Sequence, residues 1–416
     1  MSIVYLDNNA TTMMNDKILA SMLHWCNKGN PSSDFGNAAS EMIYEFKEYI
    51  AKVCKFNLPD TRLTDNDYAV IFTSGASESN ATIIRMVVDA YLETKKKIPH
   101  IVMSSIEHKS IYDMVKSLEE RNLVTVTLIS PTSAGIVRPE DVLVSIRPDT
   151  CLVTIMHANN ETGAINDIQQ IGKLAHSRGV PFHTDTVQTF GRFPIAPIDS
   201  NVDSFCISFH KFNGPPGVGA LVIKSKFIKG FNLNPIITGS QNDNLRGGTE
   251  NTPGLGAAFT AMKLCMNSRA IKNKRLSELK EYIVKSLVKE FSSELYSTYN
   301  KAGSKLLTVP KKIVFLSDIT DNYLPNTIML SVVKKVGTPV CNVGIKKKLM
   351  NKGIIISVGS ACNTSSDKAS HVLYAMGADE YIRKGALRIT LGDYNLESDI
   401  QTFIVEFIKI VHSIFK

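Results

Sequence analysis

The strongest constraint on the fold is a repeated alternation of short β-branched apolar runs with stretches whose apolar residues recur at helical spacing. Ala69–Phe72, Ile101–Ser104, Thr125–Ile129, Leu152–Ile155, Pro181–Thr184, Ser204–Ser208 and Gly219–Ile223 read as strands. Glu78–Tyr91, Ile111–Glu119 and Ile168–Ser177 read as helices between several of them. Strands alternating with helices make an α/β sheet, mostly parallel. From Pro253 a long helical pattern runs to about Phe291. Strands near Lys312–Phe315 and Thr327–Val332, a loop around Cys362, a strand at Ala386–Thr390 and a C-terminal helix follow. These form a second, smaller α+β unit, to which the N-terminal strand is expected to return. The expected division is a large domain over 15–252 and a small one from 1–14 with 253–416.

The chain has 416 residues, 44% hydrophobic and 21% charged, enough for one large and one smaller folded unit. No apolar run reaches the ~18 residues of a membrane span. The start, MSIVYLDNNATT, carries neither a signal peptide nor an Arg-rich transit segment, so a cytoplasmic location is expected. The seven cysteines form no CxxC pair and no disulfide spacing, which argues against a structural zinc and fits a reducing compartment. All but Cys362 read as buried fillers. The formal charge of +8 comes from scattered lysines at Lys95–Lys97, Lys311–Lys312 and Lys346–Lys348, without interleaved aromatics. That reads as solvated surface rather than a nucleic-acid groove.

Two reactive residues stand out. Lys211, in ISFHKFNGPPG, follows a strand and precedes a Gly/Pro turn that brings backbone near its amine. A lysine so placed can hold a cofactor aldehyde as a Schiff base. Cys362, in SVGSACNTSS, sits among small polar residues that suit a thiolate nucleophile better than a core position. Together they point to sulfur chemistry on pyridoxal phosphate. Other segments fit that chemistry and each also has a plainer reading. FTSGASESN, residues 72–80, offers a helix N-terminus to a phosphate, or is an ordinary strand–helix turn with Ser77 as N-cap. Asp185, after a strand in FHTDTVQTFG, can pair with a pyridinium nitrogen while Gln188 reaches the phenolic oxygen, or it caps the next turn. His108 can stack on the ring and move protons, or is a loop residue. HANNETG, residues 157–163, supplies amides for ligand recognition or for a turn.

Taken together, YLDNNATT, NPSS, FTSGASES, EHKS, HANNETG, HTDTVQ, SFHK, LRGGTEN, LPNT, GSACNTSS and LRITLG occur in this order along nearly the whole chain. In this the chain resembles the cysteine desulfurases of the NifS/IscS type, among the fold-type I pyridoxal-phosphate enzymes. The resemblance implies that Lys211 carries the cofactor, His108 stacks on it and Asp185 pairs with its ring nitrogen. It places Gln188 and Asn160 at the ring oxygen, and Ala76, Ser77, Ser208 and His210 at the phosphate. Thr249 is implied to reach the phosphate from the other subunit of a homodimer. Arg388, with Asn30 and Asn160, is implied to bind the carboxylate of L-cysteine, where a planar guanidinium grips with two hydrogen bonds.

The activity so implied converts L-cysteine to L-alanine and leaves a persulfide on Cys362, for delivery to a sulfur-acceptor or scaffold protein. Iron–sulfur clusters, thiolated tRNA and thio-cofactors all remain open as destinations. A selenocysteine lyase, another pyridoxal-phosphate enzyme of the family, or a non-catalytic sulfur-assembly scaffold would share much of the pattern. Three departures stand out: Ser77 where the family has Thr, a long polar linker at Leu58–Asp67, and VVKKVGTPVCNVGIKKKLMNKG (332–353) where relatives carry an acidic stretch.

Overall fold

The computed structural model describes residues 3–60, 64–295, 312–335, 337–358 and 370–416. Its strands in chain order are β1 (Val4–Tyr5), β2 (Tyr68–Thr73), β3 (His100–Ser104), β4 (Thr125–Ile129), β5 (Thr150–Thr154), β6 (Phe182–Asp185) and β7 (Ser204–Ser208). They continue as β8 (Gly219–Lys224), β9 (Ser292–Leu295), β10 (Lys312–Phe315), β11 (Thr327–Val333), β12 (Ile354–Ile355) and β13 (Ala386–Thr390).

The central sheet has seven strands in the order β2-β8-β7-β6-β5-β3-β4. β8 is antiparallel to both neighbours, and the other pairings are parallel, so six strands end on the same edge. β2, β3, β5, β6 and β7 are buried along their whole length, which explains their apolar runs. β4, at the edge, is buried only at Ile129. Side chains leave β2 alternately to the two faces. Ala69 and Ile71 join Ile83, Val87, Met103 and Leu118, while Val70 and Phe72 join Phe46, Phe209 and Phe259. The covering helices show the matching pattern; Lys109–Glu120 buries Ile111, Val115 and Leu118, one face at helical spacing.

A 39-residue helix, Thr252–Glu290, leaves this body. Leu255, Ala258, Phe259, Met262 and Cys265 pack into the core of the large sheet, and Leu276, Ile283 and Leu287 into a second core. That second core covers a four-stranded sheet of order β13-β11-β10-β9 and the C-terminal helix Glu397–Phe415. β1 pairs in parallel with β12, so the N-terminal strand does return to this part of the chain.

One expectation is corrected. Cys54, Cys151, Cys206 and Cys265 are buried, but Cys26 and Cys341 are exposed. Both sit at helix ends, where a small side chain able to make weak hydrogen bonds has a local use. Cys26 follows the helix Asp16–Trp25 and its thiol donates to the Met22 carbonyl; the Cys341 sulfur accepts from the Gly344 N–H at 3.4 Å. Cys362 lies outside the described residues.

Candidate active site

The loops after β2, β3, β5, β6 and β7 converge on the shared C-terminal edge and line a cavity of about 620 Å³. In an open α/β sheet this edge is where ligands bind. The segment after β2 turns at Gly75, whose φ of 154° is one that residues with a Cβ rarely adopt. Gly219 on β8 lets the turn come close: a Cβ there would lie 2.6 Å from both Cα and C of Gly75. The helix Ala76–Lys95 starts at this turn with no side chain capping it. Its first N–H groups thus sit where Gly75, Ala76 and Ser77 line the cavity, a ready anion cradle. Ser208 and His210 line the same cavity from the end of β7. Burial, and then the Lys211 charge, lower His210 to about 4.

Lys211 ends a short turn, Phe209–Lys211, directly after β7. Its Nζ donates to the carbonyls of Asn9 and Ala10, each at 2.7 Å. Burial lowers this amine to about 8; the Arg388 charge acts in the same direction, and Asp185 and Asp7 oppose it. The acceptor carbonyls are themselves fixed. Asn9 Nδ2 donates to Thr327 Oγ1 at 2.9 Å, and Asn326 Nδ2 donates to Asn9 Oδ1 at 3.1 Å. Gln188 also donates to the Asn9 carbonyl, at 3.3 Å.

Asp185 is the last residue of β6 and is buried. Its Oδ1 accepts from the Val187 N–H and its Oδ2 from Asn80 Nδ2, both at 2.9 Å. His108, exposed on the cavity wall, caps the helix Lys109–Glu120 by accepting from the Ser110 N–H. Arg388, on β13, is buried. It donates through NH2 to Asp7 at 2.8 Å and through NH1 to the Asn160 carbonyl at 2.9 Å. Its Nε is buried without an acceptor among the described residues. The cavity therefore has an anion cradle, an amine of lowered basicity, an ionisable carboxyl group and a guanidinium. That donor set fits a phosphorylated aromatic aldehyde together with an amino-acid carboxylate.

Ten of the expected residues meet here: Ala76, Ser77, His108, Asn160, Asp185, Gln188, Ser208, His210, Lys211 and Arg388. Two do not. Asn30 is exposed and its side chain accepts from the Ser32 N–H in its own turn. Thr249 is exposed beside a recess of about 160 Å³ that shares Ser74 and Gly217 with the main cavity. From the same segment, Arg246 donates to Glu78 at 2.9 Å.

Sequence reasoning gave no role to Asp7, Asn9 and Ala10, although they lie in the quoted YLDNNATT, nor to His371, for which no motif offered a signal. His371 Nε2 sits 3.0 Å from the Glu107 carbonyl, and Ser370 donates to Glu161 at 2.5 Å. On the other flank of the segment holding Cys362, Ser357 exchanges backbone hydrogen bonds with Arg388 at 3.0 and 2.8 Å. Both described flanks are thus fastened to the cavity wall.

The chain is 36% identical over 402 residues to the cysteine desulfurase IscS of Dictyoglomus turgidum, covering 95% of this chain and 91% of that relative. A solved NifS-like protein superposes with a TM-score of 0.82 at 29% identity, covering 99% of this chain and all of that one. A structure of SspA in complex with cysteine gives 0.73 at 29% identity, covering 94% and 99%. The aminotransferase class-V pattern matches residues 4–344, and the chain belongs to that family.

Proposed function

We propose that this protein is a pyridoxal-phosphate-dependent cysteine desulfurase that converts L-cysteine to L-alanine and receives the sulfur as a persulfide on Cys362. The observation that carries this reading is the meeting of Lys211, Asp185, His108 and Arg388 around one cavity with an uncapped helix N-terminus at one end. The cofactor, when bound, supplies a carbonyl for the substrate amine and an electron sink for the bond to the α-hydrogen. Ala76, Ser77, Ser208 and His210 would hold its phosphate, Asp185 would pair with its ring nitrogen, and Gln188 and Asn160 would serve its oxygen side. Arg388 grips the substrate carboxylate, a role supported by its place in the cavity wall.

Lys211 moves the proton. Its amine, lowered to about 8, is partly neutral near neutral pH and so can accept the α-proton and return it. The Cys362 thiolate attacks the substrate sulfur. The S–S bond forms, the carbon–sulfur bond breaks with its electron pair going to the β-carbon, and that carbon takes a proton to become the methyl group of alanine. The anchoring of Ser357 and Ser370 at the cavity wall supports this role for the segment between them.

In this reading the large domain spans 15–252 and the small one 1–14 with 253–416. The enzyme is a cytoplasmic homodimer in which Thr249 serves the partner's phosphate site, and an acceptor protein collects the sulfur. Mass spectrometry after incubation with cysteine tests the proposal. A single added sulfur on the Cys362 peptide, absent in Cys362→Ser, is expected. A persulfide confined to Cys26 or Cys341, or full alanine turnover by Cys362→Ser, would overturn it.

A further inference from the structure

Beneath the cavity floor lies a chain of polar side chains with no place in the chemistry above. Asn80, His183 and Ser204 are all fully buried. His183 Nδ1 is 2.9 Å from Ser204 Oγ, and His183 Nε2 is 3.1 Å from Asn80 Oδ1. Asn80 Nδ2 lies 2.9 Å from Asp185 Oδ2 and 3.0 Å from Ser110 Oγ, and that hydroxyl is 2.9 Å from His108 Nδ1.

The contacts of the Asn80 amide set the direction of the hydrogen bonds around it. The Asp185 carboxylate already accepts from the Val187 N–H, and the Asn80 NH2 faces it while the amide oxygen faces His183. His183 must then carry its proton on Nε2 and accept from Ser204 at Nδ1. Burial lowers His183 to about 4, which keeps it neutral in this arrangement. The second Asn80 hydrogen goes to Ser110, whose hydroxyl is left to donate to His108 Nδ1. The buried donors of Asn80, His183 and Ser204 each meet an acceptor, as a buried polar network requires.

We infer that Asn80 and His183 are positioning residues: one amide, oriented by His183, aims the Asp185 carboxylate at the cofactor ring. Asn80 also touches Ser110, whose backbone N–H caps onto His108, so the amide lies next to both side chains that address the ring. The charged and titratable groups near Asp185 are Glu107, His108, His183, Cys206 and Lys211. Asn80 supplies an amide donor to the carboxylate, beside the Cys206 thiol.

The inference rests on the proposed cofactor chemistry for one of its two readouts. In holoenzyme, Asn80→Asp keeps the size of the side chain but sets an acceptor and a like charge against Asp185. Its absorption band should shift, its spectroscopic pH titration should move, and cofactor release should accelerate by about 10- to 100-fold, the loss of one charge-assisted hydrogen bond. His183→Leu should move the same quantities in the same direction. His183→Gln, which keeps an N–H for Asn80, should restore them toward wild type. A purely structural role would lower the melting temperature and leave the band and titration of the folded protein unchanged, and that result overturns the inference. The second readout needs no cofactor: nitrogen-15 shifts of His183 should report a neutral ring with its proton on Nε2. If wild type shows no imine band with pyridoxal phosphate, the proposed function fails, and a His183 proton on Nδ1 would overturn the relay independently.

Discussion

Replacing Lys211 by Met in cofactor-free protein isolates the electrostatic cost of keeping this amine in the cavity. Its basicity falls from 10.5 to about 8 on folding, with burial the main cause. A base lowered on folding is penalised while it is charged in both states, so wild type carries the full cost below its folded value. The folded protein then loses its proton first, and the cost disappears as pH rises toward the unfolded value. With 1.36 kcal/mol per unit, the cost is about 3 kcal/mol at pH 7 and about 1.4 kcal/mol at about pH 9.5. The Met variant loses two hydrogen bonds to Asn9 and Ala10, a contribution with little pH dependence, so the absolute difference between the proteins is not diagnostic. The change in that difference is. Urea unfolding at the two pH values should show the advantage of Lys211→Met shrinking by about 2 kcal/mol on going to the higher pH. Lys280, also lowered to about 8 by burial, titrates in both proteins and cancels. A stability difference flat in pH would refute the lowered basicity, and with it the neutral fraction that the proposed proton transfer uses.

Gly219→Ala would drive a Cβ to 2.6 Å from the backbone of Gly75 and 2.8 Å from the Ile207 carbonyl. It should cost about 1–3 kcal/mol in thermal or urea unfolding and loosen cofactor retention on dialysis, because the displaced turn heads the phosphate cradle. Arg388→Lys replaces a fork by a point charge and should raise KM for cysteine about 10- to 100-fold with a smaller change in kcat, read from alanine production. An unchanged KM would count against carboxylate binding there. Thr249→Ala should weaken cofactor retention by about 1.5–3 kcal/mol. Sedimentation of wild type should show a dimer, and a fully active monomer would exclude the shared site.

The parts of the fold legible in the sequence are those where one element decides its own pattern. The buried strands announce themselves as apolar runs, and Lys109–Glu120 by its Ile111–Val115–Leu118 face. Ends were less clear. The helix written as Glu78–Tyr91 runs over Ala76–Lys95, started by the Gly75 turn and stopped at Lys96 in a left-handed conformation. The strand placed at Pro181–Thr184 runs over Phe182–Asp185, because Asp185 pairs with Cys206 on β7 despite its charge. The site was legible where a motif brought a reactive side chain with it, as at Lys211, Asp185 and Arg388. Asn80 and His183 stood inside quoted motifs, yet their contact depends on which strand lies beside which, and the order β2-β8-β7-β6-β5-β3-β4 is not written in any local pattern.

The acceptors of Lys211 lie at the very start of the chain, and what fixes them lies near its end. Leu6 donates its N–H to the Ile355 carbonyl, Asn9 is held by Thr327 and Asn326, and the Asn9 N–H donates to Thr390 Oγ1 at 3.1 Å. Asn9 and Ala10 therefore take their places beside Lys211 through contacts with residues distant in sequence. The place of the two carbonyls beside Lys211 is thus set by residues 326–390, more than 300 positions away in sequence, and a change at Asn326, Thr327 or Thr390 should be felt at that amine.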